Sequence, residues 1–197
     1  MNKLVNGIIQ VLLFSIVPFI WWLVTARKKE NFFKWIGLKK IVSSKGFIKI
    51  FLLIILAFLV LSIGILFLVQ GVETATSEFY EAGISVLPAA LVYAFLTTAL
   101  SEEMLFRGFL LKRLSSGFGF KAGNIIQAAL FGLLHGVMFF AVVGIFKAVI
   151  IIVFTGLIGW CMGYVNEKKA QGSIMPSWII HGIANLFSSA IAMFAIF

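Results

Sequence analysis

An all-α membrane protein with about six transmembrane helices is the fold this sequence predicts, and three observations predict it. Apolar residues make up 62% of the 197 and charged residues only 12%, where a soluble domain is closer to half and a quarter. Runs of about 20 apolar residues, enough to span the hydrocarbon core as helices, fall at 4–24, 47–70, 86–106, 123–144, 145–165 and 174–196. The links between them sort by charge, as the loops of a polytopic membrane protein do.

The first run follows Met1-Asn2-Lys3 and resembles a signal peptide, but no small-x-small cleavage motif follows it. Trp21, Trp22 and the basic cluster after them suit a retained helix with an interfacial anchor. The link 25–46 carries Arg27, Lys28, Lys29, Lys34, Lys39, Lys40 and Lys45, with Lys49 at the edge of the second run. Link 71–85 has no Lys or Arg and carries Glu73, Glu78 and Glu81. The third run carries Glu102 and Glu103 about a turn from its end, and the link after it holds Arg107, Lys112, Arg113 and Lys121. The fourth and fifth runs are nearly contiguous, with Gly144 and Lys147 near their turn, and Lys168 and Lys169 precede the sixth. The positive-inside rule makes the three basic links cytoplasmic and puts both termini on the other side. Fourteen of the sixteen basic residues then lie inside, all but Lys3 and Lys147.

The chain reads as a single integral-membrane domain over 1–197, without internal repeat, low-complexity segment or soluble linker. A net charge of +9 does not indicate nucleic acid, because the basic residues border apolar runs and form no groove-like patch. The single cysteine, Cys161, lies in an apolar run; it excludes a disulfide framework and a cysteine metal site and reads as a packing residue. Gly132 and Gly136 bracket His135, and Gly156, Gly159 and Gly163 share one helix face, which suits close helix packing.

The polar residues inside the apolar runs carry the chemistry. An ionisable group at bilayer depth costs about 2.5–3.5 kcal/mol on insertion scales, yet this chain puts Glu102, Glu103 and both its histidines there. Glu103 and Arg107 are four apart, neighbours on one helix face in the better order for an ion pair. Glu102 is rotated by about 100° and points elsewhere. Arg107 can therefore brace Glu103 while Glu102 faces a cavity; the bland alternative is an interfacial helix end bridged to Arg107, Lys112 and Arg113. Phe131 and His135 are also four apart, as are His181 and Asn185, so each pair shares a face. Counted at 1.5 Å per residue, Glu102 lies about a turn from the cytoplasmic end of its run, His181 about two turns in and His135 about three, which predicts a water-filled pocket opening to the cytoplasm. Two chemistries fit this set. A desolvated carboxylate can act as general base while imidazole and amide groups hold an oxyanion, or Glu102, His135 and His181 can ligate Zn²⁺ and leave a position for water. The chain has no H-E-x-x-H, and Ser101 has no histidine nearby in sequence to make it a nucleophile.

Glu102-Glu103-x-x-x-Arg107, then Phe131-x-x-x-His135, then His181-x-x-x-Asn185, resembles the three motifs of the CPBP family, the CAAX-processing proteases and bacteriocin-processing enzymes also called the Abi family. The likeness covers about 12–185, with a catalytic core of about 86–196 and no departure at the motif positions. It implies an intramembrane peptidase in which Glu102 and His135 activate water and His181 and Asn185 hold the oxyanion, with Glu103, Arg107 and Phe131 as structural support. Other accounts of the family make the same residues ligands of a metal. The short chain looks more like the small bacterial members, so prenylated substrates are not assumed. The expectation is an endopeptidase of the bacterial cytoplasmic membrane, with its active site toward the cytoplasm. It would act on a leader peptide, a bacteriocin or pheromone precursor, or a membrane protein, in contact with membrane lipid. Two readings of other classes stand beside it: a non-catalytic bacteriocin immunity protein that acts by binding, and a small Glu- and His-lined transporter, against which the polar groups stop short of the outer half of the bilayer.

Overall fold

A computed structural model describes residues 2–196, and among them the regular structure is entirely helical. Helix α1 (Lys3–Thr25) is capped by Asn2, whose side chain accepts a hydrogen bond from the Leu4 N–H at 3.0 Å, satisfying one of the donors a helix start leaves free. A short helix α2 (Phe32–Ile36) has the same device in Asn31 and ends on Gly37 in the left-handed region. Helix α3 (Phe47–Leu68) follows.

From 87 to 169 the backbone is helical throughout except at Gly119 (φ 78°, ψ 159°) and Gly144 (φ 77°, ψ 170°). Those torsions are open to glycine and strained for residues with a Cβ. They divide the stretch into α4 (87–118), α5 (120–143) and α6 (145–169), and α7 (Met175–Met193) completes the chain. Both breaks are reversals: Phe106 of α4 meets Phe131 of α5, and Gly132 and Gly136 of α5 meet Ile152 of α6.

By length and composition three stretches can cross a membrane: Lys3–Thr25, Phe47–Leu68 and the 86-residue Ile84–Lys169. The apolar helices are those of an integral membrane protein. Six separate crossings are not established by this measure, because the third stretch holds three helices in one and α7, interrupted by Ser177, His181, Asn185 and Ser189, is not among the candidates.

A second departure from the sequence reading bears directly on the site. The third run does not end near 106: α4 continues to 118, and Arg107 lies inside it, fully buried, rather than in a link. The reason is packing. Phe106, Gly108, Phe109 and Leu111 are buried with it, and Gly108 lies so close to Ile36 of α2 that an added Cβ would overlap that residue. The helix therefore has protein, not water, to bury Phe106–Leu111 against.

Exposure shows which helices meet lipid. Ile48, Leu52, Leu56 and Val60 form an exposed stripe on α3, and α1, α5 and α6 carry similar ones. Among the described residues no large hydrophobic side chain of α4 between 92 and 117, or of α7, is exposed. The outer helices thus screen α4 and α7 from the bilayer. At the end that carries the basic links, Lys112 Nζ donates to Glu167 and to the Gly172 carbonyl, both at 2.8 Å. Beneath that tie Trp35, Ile36, Met104, Phe109 and Ile174 form an apolar plug.

The glycine contacts generate a first test. A Cβ on Gly136 would overlap Ile152, whereas one on Gly64 in α3 meets nothing within 4 Å. Gly136→Val is expected to destabilise by about 1–3 kcal/mol, the usual cost of overpacking. Gly64→Ala is expected to be neutral or stabilising by about 0.5–1 kcal/mol. Thermal unfolding midpoints in detergent check both.

Candidate active site

The site is assembled where α4, α5 and α7 meet. Two wide-turned π-helical stretches, Val92–Leu100 and Met104–Leu111, flank the single α-helical turn Ser101–Glu103. π-turns cost helix geometry and recur at functional positions. Here they flank the turn that carries both glutamates. As the helical rotation requires, Glu102 and Glu103 point into different surroundings.

Glu103 is fully buried. Its Oε1 accepts from Arg107 Nη1 at 3.0 Å and from His181 Nδ1 at 3.0 Å. The Arg107 guanidinium lies 4.1 Å from the centroid of the Phe131 ring, a cation–π contact. That ring is also 4.5 Å from His135 and 6.1 Å from His181, so Phe131 packs against all three cationic or potentially cationic groups. Gly159 of α6 makes the room: a Cβ there would come 3.0 Å from Arg107 Nη2 and 3.2 Å from Phe131.

Glu102 faces the other way. Its Oε2 is buried without a hydrogen-bond partner and lies 3.9 Å from His135 Nε2 and 3.9 Å from His181 Nε2. The far sides of the rings decide what those nitrogens present. His135 Nδ1 is 2.8 Å from the Phe131 carbonyl oxygen, which only accepts, so Nδ1 carries the proton. His181 Nδ1 carries its proton for the same reason, against Glu103. In the neutral rings both Nε2 atoms then hold lone pairs. Three acceptors converge with no donor between them, and a water molecule, which can give two hydrogens, can serve two of them at a time.

Asn185 lies one turn beyond His181. Its Nδ2 donates to Thr98 Oγ1 at 2.6 Å, and Thr98 in turn donates back to the Tyr93 or Ala94 carbonyl at 3.0 or 3.2 Å. The second N–H of the amide remains for another acceptor. Thr98 escaped the sequence reading, although it stands four residues before Glu102 on the same face. Asn166 and Ser177 also escaped it. They are buried, bond each other at 2.7 Å, and pin the start of α7 to the end of α6.

A cavity of about 410 Å³ is lined by Glu102, Phe131, His135, His181 and Asn185. The cavity extends away from the basic links. Its walls run from these residues past Ser62, Leu66 and Val69 of α3 to Thr74–Thr76 of link 71–85, and no residue of the basic links lines it. The cause is the length of α4: Glu102 is near the middle of a helix that continues to 118, and Arg107 and the plug around Ile36 close the basic end.

The same side chains bear on the metal question. Ligands around tetrahedral zinc at about 2.0–2.2 Å stand about 3.3–3.5 Å from one another, closer than the 3.9 Å found here. No group of three His, Cys, Asp or Glu side chains among the described residues is arranged to hold a metal ion. As they stand, these residues do not fit one.

A family model described as Type II CAAX prenyl endopeptidase Rce1-like matches residues 84–187, more than half of the chain. The chain belongs to this family, and membership implies a membrane peptidase. No curated protein matches significantly, and neither does any solved structure.

The Glu103–Arg107 pair is buried on both sides, and breaking such a pair leaves an uncompensated charge worth about 3–5 kcal/mol. Glu103→Gln and Arg107→Ala are each expected to lower the unfolding midpoint and the amount of protein accumulated in the membrane. Glu102→Gln is expected to do neither, which parallel thermal scans of the purified variants check.

Proposed function

We propose that this member of the Rce1-like endopeptidase family hydrolyses a peptide bond in a membrane-associated peptide or protein with a water molecule activated by Glu102. The observation that carries the reading is the convergence of Glu102 Oε2 with the two imidazole Nε2 atoms, each at 3.9 Å. The whole chain acts as one membrane unit, crossing six times along α1, α3, α4, α5, α6 and α7, with its catalytic core over about 86–196.

The two histidines have different partners, and that separates their roles. His135 bonds a neutral carbonyl, which gives an imidazolium little support, so it orients the water as an acceptor. His181 bonds the Glu103 carboxylate, which stabilises positive charge on the ring, as the carboxylate of a catalytic triad does. As the water oxygen adds to the substrate carbonyl, Glu102 takes up its proton. That proton reaches His181 Nε2, from which it faces the tetrahedral oxygen together with the free N–H of Asn185. It is then delivered to the leaving nitrogen as the carbon–nitrogen bond breaks, Glu102 having become a carboxylate again when the proton left it for His181. Donors aimed at a developing oxyanion are worth about 2.7–4 kcal/mol each. The segment cleaved is a leader peptide, a bacteriocin or pheromone precursor, or part of a membrane protein in a bacterial cytoplasmic membrane.

Glu102→Gln, His135→Ala and His181→Ala are each expected to reduce cleavage by about 10²–10⁴-fold, the contribution of general acid–base catalysis. Asn185→Ala is expected to lose about 10²–10³-fold. New peptide termini in membranes of cells making each variant, compared with wild type, measure this; full cleavage by the Glu102 variant would refute the mechanism. Cleavage by purified protein is expected to survive a strong chelator, and recovery of lost activity on adding stoichiometric zinc would replace this mechanism with a metal-dependent one.

A further inference from the structure

A second cavity, of about 600 Å³, adjoins the first. The two share Leu66, Val69, Thr74, Thr76 and Ser188 as walls, and the second continues outward past Glu73 and Tyr80. The rim is a built structure. Ser77 Oγ accepts from the Thr74 N–H at 2.9 Å, and the Ser77 N–H returns a bond to the Thr74 carbonyl at 3.0 Å. Phe79 is buried against Ala90 and Met193, and the Glu81 and Gly83 N–H groups bond the Ala192 and Met193 carbonyls at 3.1 Å. The opposite end of the bundle is closed by the plug around Ile36 and by the buried Glu103–Arg107 pair.

We propose that the substrate reaches Glu102 through the neck formed by Thr74, Thr76 and Ser188, from the membrane face opposite the basic links, as an extended peptide segment. The inference rests on the peptidase reading for the word substrate, but the route itself is a property of the fold. From the start of α4 to Glu102 is about 22 Å at 1.5 Å per residue, which an extended chain covers in about six or seven residues. Neither cavity is lined by Lys or Arg, and Glu73 stands at the outer mouth. The entering segment is therefore neutral or cationic, since an acidic one would find no partner.

Cysteine accessibility tests the route without a known substrate. In a Cys161→Ala background, Ser188→Cys in the neck and Ser62→Cys deeper in the cavity are treated with a small charged methanethiosulfonate. The reagent is added to right-side-out or inverted membrane vesicles, and modification is read by mass. Ser85→Cys in the acidic link and Ser116→Cys at the basic end, both exposed, report the two faces. Both cavity cysteines are expected to react at least tenfold faster from the face that labels Ser85→Cys, and Thr76→Trp is expected to slow them by about tenfold. Faster reaction from the face that labels Ser116→Cys, or no reaction from either, would overturn the proposal. Cleavage measured in parallel on protein that keeps Glu102 separates the two questions: an open route without any cleavage by that protein would refute the peptidase reading and leave the entrance standing.

Discussion

One carboxylate oxygen organises the centre of this protein. Glu103 Oε1 accepts from Arg107 Nη1 and from His181 Nδ1, each at 3.0 Å, with both Glu103 and Arg107 fully buried. A single contact thereby neutralises an arginine inside a membrane helix, ties α4 to α7, and turns the Nε2 lone pair of His181 toward Glu102. Buried ion pairs are weak contributors to stability when compared with apolar replacements. This one has a second use, because removing it frees the His181 ring as well as a charge.

The surrounding fold serves that contact. The helices with exposed apolar stripes, α1, α3, α5 and α6, take up the lipid-facing positions, and α4 and α7 are left inside with the polar groups. Close approach of α5 and α6 depends on glycine at 132, 136, 156, 159 and 163, and at Gly159 the space saved is occupied by Arg107 and Phe131. A buried helix with nothing but protein around it can hold π-turns and polar side chains that a lipid-facing helix could not satisfy. The cavity runs from these groups toward link 71–85.

Much of this was legible in the residues. Spacing alone separated Glu102 from Glu103 and paired the latter with Arg107, because helical rotation is a local property. The glycine faces and the break at Gly144 were legible for the same reason. The end of α4 was not: hydropathy falls at the charged residues near 107, and tertiary burial against α2 carries the helix past them to Leu111. Glu102 therefore sits near the middle of α4, not one turn from its end, and its cavity runs toward link 71–85. Thr98 was hidden for another reason: a threonine in an apolar run carries no signal until its partner, Asn185, 87 residues away, is brought beside it.

The central claim is that both imidazoles hold their protons on Nδ1 and present bare Nε2 atoms to the carboxylate of Glu102. The chain has only two histidines, so nitrogen-15 NMR of histidine-labelled protein in bilayers at neutral pH resolves them without interference. The account predicts two rings with protonated Nδ1 and unprotonated Nε2, and loss of that state at His181 in Glu103→Gln. A resting protein in which either ring carries its proton on Nε2 would contradict it.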